Sequence, residues 1–361
     1  MYEFDIHKQT ITVEGITYSS DFFKDNTIVE FVDKSDFHNQ LFLFLKDWFS
    51  DSPTLIVKTS GSTGVPKEMK VEKERMIQSA CLTCSFLNLQ KGNTALLCMP
   101  LEYIAGKMMV VRCLIAGLNM YLTSPSGNPL REFDILFDFV AMIPLQVYNS
   151  FQSDIETERL KQIKNLIIGG GAIDKNLEIQ LKDFPNSVYS TYGMTETLSH
   201  IALQKINGED ASLNYHPFES VSLTLDVDDT LIINAPLVSK DTLYTNDIAE
   251  INPDGSFRII GRKDNIINSG GIKIQIEKLE HLLKPYIKDD FAITSLPDPK
   301  FGEIIVLLTT EKFDLKTISQ DVPHYSLPKK IWNIDEIPKT ETGKINRAET
   351  KELALKLNNK P

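Results

Sequence analysis

Between Thr54 and Lys182, short apolar runs of strand length alternate with longer runs of helical periodicity. This alternation restricts the fold more than any other feature of the chain. Residues 54–58 read as a buried strand, 72–87 as a helix, 94–99 as a strand and 104–116 as a helix. Strand-like 139–143, helix-like 145–151, strand-like 165–168 and helix-like 175–182 follow. Upstream, Ser35 reads as the N-cap of a helix that places Phe37, Leu41, Phe44, Leu45 and Trp48 on one face. Strands and helices at this spacing predict an α/β fold, a mainly parallel sheet covered by helices.

The rhythm changes near residue 188. Runs at 221–225, 230–233, 248–251 and 257–260 read as successive strands, the last two joined through Asp254-Gly255. They are expected as antiparallel hairpins appended to the main sheet. After Arg262 come the turn cluster Asn268-Ser269-Gly270-Gly271, an amphipathic run at 277–283 and strands at 291–294 and 304–309. The expected division is a large domain over 1–262, including the strand-rich part, and a small α+β domain over 263–361.

The length of 361 residues also favours two domains. A net charge of −11 argues against a surface made for nucleic acid or anionic lipid. No stretch approaches the roughly 20 apolar residues of a spanning helix. The first ten residues include Glu3, Asp5 and Lys8 and lack an apolar export signal. Cys81 and Cys84 form a lone Cys-x-x-Cys in a helix-like run, without the second pair or histidines that zinc spacing requires; they read, with Cys98 and Cys113, as reduced and structural. The expected compartment is the cytoplasm, with no membrane or nucleic-acid partner.

The stretch Thr59-Ser60-Gly61-Ser62-Thr63-Gly64-Val65-Pro66-Lys67 directly follows a strand-like run. Glycines let backbone N–H groups approach an anion, hydroxyls add donors, and the lysine adds a mobile cation. That chemistry suits a polyphosphate. It is not a Walker A loop, because Pro66-Lys67-Glu68 stands where Gly-Lys-Ser/Thr is needed. A P-loop hydrolase is thereby disfavoured.

In sequence and spacing this loop resembles the signature of the adenylate-forming acyl- and aryl-CoA synthetases. Four further segments follow in the order found in that family: Tyr192-Gly193-Met194-Thr195-Glu196; Tyr244-Thr245-Asn246-Asp247; Gly261-Arg262-Lys263-Asp264 with Gly270-Gly271; and Pro338 to Lys344. The resemblance implies ATP, Mg²⁺ and coenzyme A as cofactors and co-substrates, and a carboxylic acid as acyl donor. It also implies residue roles. Gly170, Gly171 and Ala172 would wall one face of the adenine, and Tyr192, next to Gly193, would stack on the other. Thr195 would donate to the α-phosphate and Glu196 would hold Mg²⁺, as hard oxygen ligands do. Asp247 would accept from the ribose hydroxyls, with Arg262 reaching ribose or phosphate. Lys344 would stabilise the charge that builds as the carboxylate attacks phosphorus. Asp264 would be the hinge of a C-terminal domain that moves between the two half-reactions.

Four departures from the family pattern stand out. Asn246 replaces a glycine, which suggests a positive φ there; Lys273 replaces an arginine; and the phosphate loop begins unusually early, so part of the N-terminal subdomain of longer relatives is expected to be missing. Tyr103 stands where the family usually has a histidine that gates the acyl site. Lys107 and Arg112 lie beyond it in an apolar run, and Lys107 is suited to a second substrate carboxylate, whereas Arg112 can equally snorkel to water. The short length and Gly106-Lys107-Met108-Met109 look most like the short bacterial o-succinylbenzoate:CoA ligases of menaquinone synthesis. Another aryl- or short-chain acyl-CoA ligase, or an adenylation enzyme loading a carrier protein, is also open. The sequence admits a homodimer as well as a monomer.

Overall fold

The computed structural model describes residues 2–25, 35–58, 68–315, 322–340 and 345–359. The phosphate-binding candidates from Thr59 to Lys67 and the catalytic candidate Lys344 lie outside the described residues. Two compact units emerge: residues up to 222 together with 234–243, and residues 223–233 together with 244–359. No helix among the described residues is long and apolar enough to cross a membrane.

The strands of the first unit are β1 (Thr10–Val13), β2 (Ile16–Ser19), β3 (Thr54–Lys58), β4 (Glu68–Glu72), β5 (Thr94–Leu97), β6 (Asn119–Leu122), β7 (Phe139–Met142), β8 (Asn165–Ile168), β9 (Ser187–Gly193), β10 (His200–Lys205) and β11 (His216–Pro217). Its helices are α1 (Ser20–Asp25), α2 (Asp36–Trp48), α3 (Lys73–Phe86), α4 (Ile104–Ala116), α5 (Pro144–Ser150), α6 (Asp154–Gln162) and α7 (Lys175–Leu181). One sheet runs β11-β10-β9-β8-β7-β5-β6-β1-β2. Neighbours from β9 to β1 are parallel, while β2, β10 and β11 close the two edges antiparallel. All four residues of β7 and of β8 are buried, as expected of parallel strands covered on both faces.

The helices follow the expected boundaries closely. Ser35 caps α2 by accepting from the His38 N–H, and Trp48 on the buried face donates from Nε1 to Gln9 Oε1 at 2.9 Å. In α4, every residue from Met108 to Ala116 is buried, so this helix is enclosed rather than amphipathic.

Two expectations are corrected. Strand β3 is not a buried member of the main sheet: it pairs antiparallel with β4 in a two-stranded sheet, and Ile56 is 60% exposed. Five apolar residues in a row do not say how many faces are covered. The later hairpins are not appended to the main sheet either. They form their own sheet in the order β12 (Ser222–Leu225), β13 (Thr230–Asn234), β14 (Leu243–Ile251) and β15 (Phe257–Arg262).

The rest of the second unit contains β16 (Ile266–Ser269), β17 (Ile272–Gln275), β18 (Phe291–Asp298), β19 (Gly302–Thr309), β20 (Lys330–Asn333), α8 (Ile276–Leu283) and α9 (Arg347–Asn358). These strands form one sheet, in which β18 is buried continuously over 292–296 and β19 over 304–309. Ile293, Ile305 and Leu307 pack with Leu279 and Leu283 of α8, while Ala292, Val306 and Leu308 pack with Ala354 of α9. The sheet thus has an apolar layer on each face.

Gly106, in the first turns of α4, sits against the segment that leaves β5. A Cβ there would lie 2.2 Å from the Pro100 carbonyl oxygen, a backbone atom that cannot swing aside. Gly106→Ala is expected to destabilise the protein by about 1–3 kcal/mol through overpacking. A urea midpoint equal to that of the wild type would refute this.

Candidate active site

In an open parallel sheet, ligands collect beyond the carboxyl ends of the strands, because the connecting loops of neighbouring strands emerge there together. Three segments singled out in the sequence leave this end of the sheet: 98–103 after β5, 169–172 after β8, and 194–199 after β9. The structure therefore brings Gly170, Gly171 and Ala172 to the same sheet end as Tyr192, Gly193, Thr195 and Glu196.

The segment after β9 is held in detail. Gly193 is required by close approach, since a Cβ would lie 2.3 Å from the Ser199 carbonyl oxygen. Thr195–Thr197 then form a single 3₁₀ turn. The fully buried Thr197 hydroxyl accepts from the Met194 N–H at 2.9 Å and faces two carbonyls, Ser199 at 2.7 Å and Met194 at 3.0 Å. Leu198 has a φ of 64°, a conformation that costs a bulky L-residue on the order of 1–3 kcal/mol and persists only where its surroundings enforce it. Glu196 is exposed and Thr195 half-buried, so both face outward from a fixed turn. Tyr192 packs against Tyr215 with ring centroids 5.9 Å apart, and the Tyr215 hydroxyl bonds to Ser190.

Beneath this turn lies a polar group that the sequence did not reveal. Arg112 of α4 is 2% exposed and donates from Nη2 to Ser199 Oγ at 2.5 Å. The Ser199 hydroxyl lies 3.3 Å from His200 Nδ1, and His200 Nε2 lies 3.0 Å from Thr83 Oγ1, which donates to the Ser79 carbonyl. Proton accounting fixes one direction. Arg112 donates to Ser199, Ser199 donates to Nδ1, and a neutral His200 donates from Nε2 to Thr83. Burial, with Arg112 as a second cause, pushes His200 well below its usual range.

The acyl candidates do not converge. Lys107 and Arg112 are five positions apart, about 140° around the helix. Lys107 donates from Nζ to the Ile56 carbonyl at 3.0 Å, and burial lowers its pKa. Tyr103 is the N-cap residue of α4 and bridges in parallel to Lys58, whose ammonium pairs with Glu102 at 2.6 Å. Arg112 does not snorkel.

In the second unit, Asp247 and Arg262 are cross-strand partners on β14 and β15, and Arg262 Nη1 donates to Asp247 Oδ1 at 2.7 Å. Arg262 Nη2 reaches Asp264 Oδ2 at 3.1 Å, and Asn246 Nδ2 donates to both Asp264 oxygens, at 3.2 and 3.1 Å. The three candidates Asp247, Arg262 and Asp264 are thus one hydrogen-bonded ladder. Asn246 needs no positive φ: it lies within strand β14, and its amide serves the ladder. Its place beside Asp264 is invisible in the sequence, because the two are 18 residues apart.

Cys81 and Cys84 both lie in α3 and form no disulfide, and neither do Cys98 and Cys113. Burial raises the thiol of Cys81 to about 11 and those of Cys84 and Cys98 to about 12, with Cys113 raised further still. Among the described residues no group of three His, Cys, Asp or Glu side chains is arranged to hold a metal ion. Glu196, an exposed hard-oxygen donor at the sheet end, fits an ion such as Mg²⁺ that is bound by one or two carboxylates together with substrate phosphates.

Residues 5–223 match the family described as AMP-binding enzyme. A 2-succinylbenzoate–CoA ligase from Listeria monocytogenes is 27% identical over 348 residues, which cover 85% of this chain and 72% of that protein. Among solved structures, an acyl-CoA synthetase (AMP-forming)/AMP-acid ligase II-like protein from Dyadobacter fermentans is 31% identical. It covers 92% of this chain and 97% of its own, with a TM-score of 0.63. The o-succinylbenzoate coenzyme A synthetase of Bacillus subtilis, solved with ATP and magnesium ion, aligns with a TM-score of 0.67 over 82% of this chain and 69% of that one. Its 18% identity makes this a likeness of fold. The chain belongs to the AMP-binding enzymes: it is an ATP-dependent, AMP-forming acid–thiol ligase.

The neutral His200 carries a pH signature. Its folded pKa lies below the unfolded value near 6.5, so below that pH the unfolded chain binds a proton that the native one refuses. Stability contributed by the neutral ring is therefore present above pH 6.5 and lost as the pH falls, by up to about 1.4 kcal/mol per pH unit. Urea midpoints for the wild type should drop faster than those for His200→Asn between pH 6.5 and 5. Parallel slopes would mean that His200 protonates in place.

Proposed function

We propose that this ligase activates o-succinylbenzoate, an aromatic keto-dicarboxylate, and transfers it to coenzyme A in menaquinone biosynthesis. The observation that carries the reading is the gathering of the segments after β5, β8 and β9 at one end of the parallel sheet. Support for the acid comes from the similarity to 2-succinylbenzoate–CoA ligase across most of the chain.

In the first half-reaction a carboxylate oxygen attacks the α-phosphorus of ATP. The bond to the β-phosphate breaks and pyrophosphate leaves. In the second, the coenzyme A thiol attacks the acyl carbon, and AMP leaves with the electron pair of the acyl–oxygen bond. Gly170, Gly171, Ala172 and Tyr192 would flank the adenine, with Gly193 allowing the chain to turn away. Asp247 is the acceptor for ribose hydroxyls, and Arg262 holds that carboxylate in place. Thr195 would donate to the α-phosphate. Glu196 would bind Mg²⁺, which when present offsets phosphate charge. Thr59, Ser60, Gly61, Ser62, Thr63, Gly64 and Lys67 would supply donors to the outer phosphates. Lys344 would contact the oxygens that gain charge in the transition state. We place the moving C-terminal domain at 263–361, with Asp264 as its hinge.

For the acid itself, Tyr103 and Lys107 are the assigned contacts. Lys107, half-buried and bonded only to a neutral carbonyl among the described residues, gains most from a carboxylate partner. Arg112, enclosed and bonded to Ser199, is not placed in the acyl set.

A pyrophosphate-release screen over carboxylic acids, each with and without coenzyme A, tests the reading. Release with o-succinylbenzoate and not with benzoate is expected, with coenzyme A consumed. The reverse preference would replace the acid with a simpler aryl substrate, and release without coenzyme A consumption would favour loading of a carrier protein. Lys344→Ala should bind ATP normally and lose adenylation by about 100-fold or more, as expected for a contact made in the transition state. It should still form thioester from supplied acyl-adenylate. Adenylation at the wild-type rate would remove Lys344 from the mechanism.

A further inference from the structure

Arg112 is a buried cation that the described residues around it do not neutralise. Its Nε has no hydrogen-bond partner among the described residues, and it makes no ion pair there. The nearby thiols of Cys84 and Cys113 are held protonated by burial, and His200 is held neutral. Burial lowers the guanidinium pKa only to about 10, so it stays charged at neutral pH. Enclosing an unpaired charge opposes folding, and an apolar side chain of similar length would fill the same space in α4 without that cost. Among the described residues its guanidinium bonds to Ser199, and from there leads to the turn that presents Thr195 and Glu196.

We infer that Arg112 is a positioning residue for the turn Met194–Ser199, fixing through Ser199 the segment that offers Thr195 and Glu196 to the nucleotide and its metal ion. The argument is geometric. Arg112 immobilises the Ser199 side chain, and the Ser199 carbonyl takes the shorter of the two contacts of the Thr197 hydroxyl. That hydroxyl in turn receives the Met194 N–H at the start of the turn. Between Thr197 and Ser199 stands Leu198, in left-handed backbone that relaxes unless both of its neighbours are held. His200, the next residue, is pinned by Thr83. The carboxylate of Glu196 and the hydroxyl of Thr195 therefore ride on a turn fastened from below to α4. This inference rests on the proposed roles of Thr195 and Glu196.

The test compares the full-length wild type with Arg112→Met, Arg112→Lys, Ser199→Ala and the double variant Arg112→Met/Ser199→Ala. ATP affinity is measured by calorimetry in Mg²⁺ and again in EDTA, alongside thermal melting. Loss of a residue that orients a ligand-bearing segment should weaken ATP binding in Mg²⁺ by about tenfold or more. Binding in EDTA, where only the Thr195 contact is at stake, should weaken less. Arg112→Lys should recover part of the loss, and the double variant should be no worse than either single change. The melting temperature of Arg112→Met should not fall. If Arg112→Met does not fold, Ser199→Ala, which removes only a hydroxyl, carries the same comparison. Wild-type affinity in Mg²⁺ for the variants, equal losses in EDTA, or additive losses in the double variant would each overturn the inference. Wild type that binds ATP with Mg²⁺ but releases pyrophosphate with no acid would remove the proposed substrate and leave this comparison in force.

Discussion

A shared strand direction governs the first unit. Because β9, β8, β7, β5, β6 and β1 run parallel, each leaves the sheet at the same end, and successive crossovers must return along its faces. Segments that are far apart in sequence, after residues 97, 168 and 193, are delivered to one end of the sheet without any contact needing to be arranged for that purpose. The fully buried strands β7 and β8 and the enclosed helix α4 follow from the same constraint: a parallel sheet has no face left for water, and its covering helices become core.

How much of this was legible depended on pattern length. The helices at 36–48 and 73–86 are readable because each repeats its burial over three or more turns, and the one at 104–116 because its apolar run is too long for a strand. Strand β8 was readable as a short uninterrupted apolar run. Strand β9 was not: Ser187, Ser190 and Thr191 give it a polar composition, and it is recognised only through its neighbours in the sheet. Strand β3 is legible as a strand but its partner is not, since pairing depends on residues 68–72, remote from it along the chain. The polar devices were the least legible. Arg112 meets Ser199 across 87 positions, and Thr83 meets His200 across 117. No local spacing announces such bonds. The motif segments were recognisable by their likeness to a family, whereas the residues that steady them were not.

The second unit solves a different problem with charge. Asp247, Arg262, Asp264 and Asn246 alternate acceptor and donor along two strands and the turn that follows them. The guanidinium fork spans two carboxylates at once, which lysine could not do with fixed geometry. A rigid ladder of this kind ties the orientation of a proposed ribose acceptor to the residue proposed as a hinge, so a change in backbone angle at residue 264 is felt at 247.

The four sulfurs have a practical consequence. All are held as thiols far above neutral pH, and three of them are sealed inside the fold. An enzyme that hands its product to a free mercaptan works beside a reagent that attacks disulfides and exchanges with exposed thiolates. This chain offers that reagent almost nothing to react with. Disappearance of the mercaptan can therefore be followed with a thiol-specific chromogenic dye in the presence of native protein, with little background from the catalyst.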